Sequence, residues 1–107
     1  MFLRKLGQGW LEMQKFNVTM SDDATDDLFD IVDYLNGFSL AIGEKYFDEI
    51  FKKVNSLETL PERCPLVAYT PLCEKDYRWL FVRNYTIFFT IHKAENFVSI
   101  RRILYAR

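Results

Sequence analysis

The chain has 107 residues, half of them hydrophobic and 17% aromatic, with only four glycines and three prolines. That is one domain's length with enough apolar side chains to bury a core, which excludes a disordered tail. The formal net charge of −1 argues against a generic nucleic-acid coat.

Residues 1–12 show no periodicity and are expected to be a leader or flexible extension, with Met13 a candidate start and the domain at 13–107. Arg4 and Lys5 interrupt what would be the apolar part of an export signal. No run approaches the roughly 20 apolar residues that span a bilayer. A cytoplasmic protein without membrane contact is expected. "KFNVTM" then alternates Phe16, Val18 and Met20 with polar residues, the pattern of a half-buried strand.

Ser21 is placed to cap a helix that carries Asp22 and Asp23 in its first turn, where carboxylates suit the helix dipole. Ala24, Leu28, Ile31, Val32 and Leu35 recur on one face, and Asn36-Gly37 closes the element. Ser39 caps a second helix, whose stripe of Phe47, Ile50, Phe51, Val54 and Leu57 is assigned to the core before Pro61 ends the run. Residues 60–76 are irregular and broken by Pro61, Pro65 and Pro71.

"YRWLFV", "YTIFFTIH" and "FVSIRRIL" read as three strands joined by "RN" and "KAEN", connections short enough for antiparallel hairpins. "TIFFTI" is almost continuously apolar and is assigned to the sheet centre. The expected architecture is α+β: an N-terminal strand, a helical hairpin and a three-stranded antiparallel meander in two layers. All strands are expected in one antiparallel sheet, with both helices on one face and the other face open.

Charge is unevenly spread. Residues 1–74 hold seven Lys and Arg against thirteen Asp and Glu, and residues 75–107 hold seven against two. An acidic partner or a phosphate should therefore meet the C-terminal third. That third contains Arg78, Arg83, Arg101, Arg102, Tyr105 and Arg107. Guanidinium groups fork onto phosphates and carboxylates, and a tyrosine can stack or pass a proton. Strict alternation along the last strand would put Arg102 beside Val98, Ile100 and Leu104, and Arg101 beside Ile103 and Tyr105. Arg78, Arg102 and Tyr105 are the candidates for catalysis. Arg83, Arg101, Arg102, Tyr105 and Arg107 are the candidates for binding a target or partner. The lone His92 and the two cysteines, Cys64 and Cys73, do not have zinc-site spacing. No metal or cofactor is expected, and the thiols are expected reduced.

"DATDDLFDIVDYL" resembles the first helix of RelE/ParE superfamily toxins of type II toxin–antitoxin systems. "SLETLPERCP" is similar to that family's junction after the second helix. "YRWLFVRNYTIFFTIHKAENFVSIRRILYAR" is similar to its closing meander, with the runs R-N-Y-x-I-F-F and V-x-I-R-R-I-L-Y. The motifs fall in the family's order over about residues 14–107. The resemblance implies a growth-inhibitory toxin, associated with plasmid stabilisation and neutralised by a cognate antitoxin. It also implies one of two targets. ParE-like chains poison DNA gyrase and are not nucleases; RelE-like chains cut mRNA in the ribosome without metal. Many RelE-like nucleases carry an arginine just before the apolar run of the middle strand, where this chain has Tyr85 and Thr86, and Arg83 lies in the preceding turn. Tyr105 suits the nuclease branch instead, standing where ParE-like chains often have histidine. The ParE-like reading is favoured. A non-toxic relative that only binds an antitoxin is the remaining alternative.

Overall fold

The computed structural model describes residues 15–67 and 76–105. The expected leader at 1–12, together with Pro71, Cys73 and Arg107, lies outside the described residues. The alternating N-terminal stretch forms β1 (Asn17–Met20), with Phe16 buried and Val18 and Met20 half-buried. Ser21 accepts a hydrogen bond from the Ala24 N–H at 3.1 Å and starts α1 (Asp22–Asn36). Ser39 does the same for the Ala41 N–H and starts α2 (Leu40–Asn55). The two helices pack so closely at their shared end that a methyl on Gly43 would lie 1.9 Å from Asn36 Oδ1. Two short 3-10 turns, Ser56–Glu58 and Pro61–Arg63, follow. The meander is β2 (Arg78–Val82), β3 (Tyr85–His92) and β4 (Phe97–Tyr105).

The sheet order is β1-β4-β3-β2. β3 is internal, as its apolar run predicts. β1, however, runs parallel to β4, so the sheet is mixed rather than wholly antiparallel. Strand direction across the roughly 80 intervening residues is set by how the helical hairpin returns the chain, which no local pattern encodes.

Both helices cover the inner face. Ala24, Leu28, Ile50, Val54 and Leu57 pack with Val82, Ile87, Phe89, Val98, Ile100 and Ile103. Two apolar expectations need correction. Phe51 stacks on Phe47 with centroids 5.8 Å apart but is 47% exposed, so the α2 stripe reaches beyond the core. Phe88 lies on the outer face, half-buried between its strand neighbours Trp79 and Arg102.

A β-bulge interrupts the β3–β4 ladder. Phe89 faces Ile100 and Phe88 faces Arg102, leaving Arg101 without a partner. The extra residue resets the alternation, so Ile100 and Ile103 are both buried while both arginines are exposed. Strict alternation therefore misassigned the faces beyond Ile100. β1 pairs only as far as Ile100, and the edge of β4 that remains is closed by α1. Ser21 N–H donates to the Ile100 carbonyl at 2.9 Å and Ser21 Oγ donates to the Arg101 carbonyl at 3.0 Å. The Asp27 carboxylate accepts the Ile103 N–H at 2.9 Å.

Candidate functional site

The described cations of the C-terminal third are dispersed, and most are occupied. Arg78 starts β2 in register with Phe89, on the strand's inner side with Leu80 and Val82. Its guanidinium donates to the Cys64 carbonyl at 2.6 Å and to the Glu62 carbonyl at 3.2 Å, tying the second 3-10 turn to the sheet. Arg83 sits in the β2–β3 turn at φ 53°. It forks onto Glu49 of α2 through Nε and through Nη2, the latter at 2.8 Å, with its guanidinium 5.0 Å from the centre of the Tyr46 ring. Arg102 forks onto Asp27 of α1, with Nε to Oδ2 at 2.7 Å and Nη2 to Oδ1 at 3.1 Å. Arg101 alone of the described arginines of β2–β4 has neither a carboxylate nor a carbonyl partner, meeting only Ser99 Oγ at 3.4 Å.

His92 is stacked on Phe97 with centroids 4.3 Å apart, and its Nε2 lies 2.9 Å from Thr90 Oγ1. That arrangement is structural. Cys64 is buried, and burial pushes its thiol pKa up, which keeps it protonated and unreactive. Among the described residues no cluster of His, Cys, Asp or Glu is placed to hold a metal ion, and no helix is long and apolar enough to cross a membrane.

Tyr105 belongs to a different constellation from the arginines. It lies opposite Tyr85 at the end of the β3–β4 ladder, with ring centroids 5.6 Å apart and planes at 72°. Tyr46 of α2 also meets Tyr85, with centroids 6.2 Å apart and planes at 90°. With Tyr34 of α1 these rings line a groove of about 560 Å³, completed by Asp30, Ile31, Leu35 and Asn84. Burial raises the Tyr85 hydroxyl pKa, and the neighbouring tyrosines raise it further, so Tyr85 stays neutral. Of these residues only Tyr105 stood out in the sequence. Tyr34, Tyr46 and Tyr85 are far apart along the chain, and only the hairpin's packing on the strand ends collects them.

A second concentration of exposed side chains lies on the helical hairpin. Phe29, Phe38, Leu40 and Phe51 are all exposed.

The family model for the ParE toxin of type II toxin–antitoxin systems matches residues 18–107. The chain belongs to the ParE toxin family. Among solved structures, this ParE-family chain is similar to one described as the chromosomal ParDE toxin–antitoxin system from P. aeruginosa. That likeness has a TM-score of 0.72 and 17% identity, and covers 88% of this chain and 99% of the other. It is also similar to a structure of the RelBE2 toxin–antitoxin complex from Mycobacterium tuberculosis, at a TM-score of 0.66 and 15% identity. There the match covers 88% of this chain and 94% of the other. At such identities these likenesses bear on the fold. A search of curated proteins finds no match.

Proposed function

We propose that the chain is a cytoplasmic toxin that acts by docking on DNA gyrase rather than by cutting RNA, and that a cognate antitoxin neutralises it. The observation that carries this reading is the intramolecular engagement of Arg78, Arg83 and Arg102. A metal-independent nuclease needs free cations aimed at the phosphate that gains charge, and losing one such group typically costs about 10²- to 10³-fold in rate. Here Arg83 and Arg102 tie the two helices to the meander, and Arg78 ties the second 3-10 turn to it. Arg101, Tyr105 and Arg107 remain as the residues proposed to meet the target. An antitoxin is supported by the family and by the exposed apolar side chains of the helical hairpin. The exposed Tyr105 is the one feature that favours the alternative, a ribosome-dependent mRNA endonuclease.

Tyr105→Phe separates the two. It keeps the ring and removes the proton, and a general acid–base step contributes about 10²- to 10⁴-fold. Induced in bacteria, Tyr105→Phe is expected to remain toxic, while Arg101→Ala combined with Arg107→Ala is not. The purified chain should inhibit gyrase supercoiling and leave translating mRNA intact. Codon-specific mRNA cuts that vanish in Tyr105→Phe would return the chain to the nuclease reading.

A further inference from the structure

The tyrosine groove has a chemical preference that its geometry makes legible. Tyr85 forms the floor, with Tyr46 perpendicular to it and Tyr105 steeply inclined. Rings set at such angles form a corner in which one wall presents its π face and the next its edge. Tyr34 extends the wall from α1, backed edge-on by Phe38 with centroids 5.3 Å apart. One helical turn before Tyr34, Asp30 stands at the rim. Among the described residues it is the only charged side chain lining the groove, and it has no ion pair with any of them. Ring faces and a carboxylate both attract cations and repel anions.

We infer that this groove is a recognition pocket for an arginine side chain presented by a peptide segment of a partner protein. A guanidinium can lie flat on a tyrosine ring while its edge forks onto Asp30, and an ammonium cannot match that plane. The same arrangement already exists within the molecule at the groove's edge, where Arg83 lies over Tyr46 and forks onto Glu49. The volume of about 560 Å³ accommodates a guanidinium with its alkyl stem, within the usual range for side-chain and small-ligand pockets. The partner chemistry is thus opposite to that expected from the charge of the C-terminal third. An acidic segment entering here would face Asp30 and the negative ring faces without compensation. The inference rests on the reading of the chain as a docking protein, but it does not depend on which partner docks.

The test uses the full chain, labelled with ¹⁵N and titrated with N-acetyl-Leu-Arg-Leu-amide. Parallel titrations use the same peptide with citrulline, an uncharged isostere, with lysine or with glutamate in place of the arginine. Saturable shifts are expected at Tyr34, Tyr46, Tyr85 and Tyr105 with the arginine peptide, with the citrulline peptide about tenfold weaker. Asp30 and Tyr34 are exposed, so Asp30→Asn and Tyr34→Leu should fold normally by thermal melt. Each should weaken the arginine peptide by roughly three- to tenfold. Equal binding of the arginine and citrulline peptides, tighter binding of the glutamate peptide, or no saturable shift at millimolar peptide would overturn the pocket. A lysine peptide that binds as tightly as the arginine one would overturn the assignment to a guanidinium. Gyrase inhibition is not read in this titration, so failure here is separate from failure of the docking mechanism.

Discussion

Asp27 shows how a residue that looks like one more carboxylate on a solvated helix face becomes structural. Its side chain is only 14% exposed. It accepts two hydrogen bonds from Arg102 and one from the Ile103 N–H, where β1 has ended and β4 would otherwise present an open edge. Burial pushes its pKa up, but the hydrogen bonds from Arg102 and Ile103 and the Arg102 charge outweigh it, and the carboxyl sits below its ordinary 3.8. The folded value lies below the unfolded one, so this stability is fully present at neutral pH. It is lost as pH falls from about 3.8 through the folded value. Asp27→Ala orphans a part-buried N–H and should cost about 1–3 kcal/mol. Arg102→Ala leaves that N–H bonded to Asp27 and removes a pair that is exposed on its arginine side, so it should cost less. Urea unfolding at pH 7 checks the order. Repeated below pH 4, the gap between wild type and Asp27→Ala should narrow.

At the scale of the element, β4 depends on one extra residue. "IRRIL" does not alternate, but the same run with a single arginine does: Ile100 inward, arginine outward, Ile103 inward. The bulge at Arg101 is how the strand accommodates the second arginine without turning Ile103 out of the core. Deleting one arginine should therefore yield a regular ladder with the inward set intact. We expect that deletion variant to fold cooperatively, with native-like protection of the β3–β4 amides in hydrogen exchange. Inserting a third arginine should do the opposite, because a regular ladder then turns the middle arginine into the core opposite Ile87, and a retained bulge turns Ile103 outward. A deletion variant that unfolds would show that the Ser21 contacts to the bulge backbone, and not the alternation, hold the strand.

At the scale of the molecule, three ion pairs join the acidic front of the chain to its basic end. Asp27, Glu49 and Glu62 pair with Arg102, Arg83 and Lys93 between the helices and turns of the first half and the strands and turns of the second. With those cations engaged, the proposed antitoxin is left the exposed apolar side chains of the hairpin rather than a basic face, while Arg101 stays exposed for the proposed target. Association through the proposed antitoxin should accordingly be governed by apolar burial and survive high salt, which would dissolve a contact built on exposed charges. A ligand at 100 times its dissociation constant adds about 2.7 kcal/mol to the folded state. For a domain of this size that should raise the melting temperature by roughly 10 °C or more. Calorimetry of the isolated chain and of the chain co-expressed with the product of a neighbouring small gene measures the shift. Dissociation in molar salt would move the interface back to the charged residues.

The sequence by itself determined the elements. Serine caps, helical stripes and apolar runs are local signals, and they placed α1, α2 and the three strands of the meander within a residue or two. Motifs that resemble those of RelE/ParE toxins, in the family's order, carried the toxin family, and the apolar run of β3 marked an interior strand. Tertiary structure alone decided the direction of β1, the outward turn of Phe51 and Phe88, the bulge at Arg101, and which arginines are engaged. These depend on partners distant in sequence: Asp27 meets Arg102, Glu49 meets Arg83, and Tyr34, Tyr46, Tyr85 and Tyr105 converge only when the helical hairpin lies on the strand ends. Periodicity reports how a residue faces its own element. A charge balance summed along the chain cannot report which charges the fold brings together, because that pairing is set by packing across the two layers.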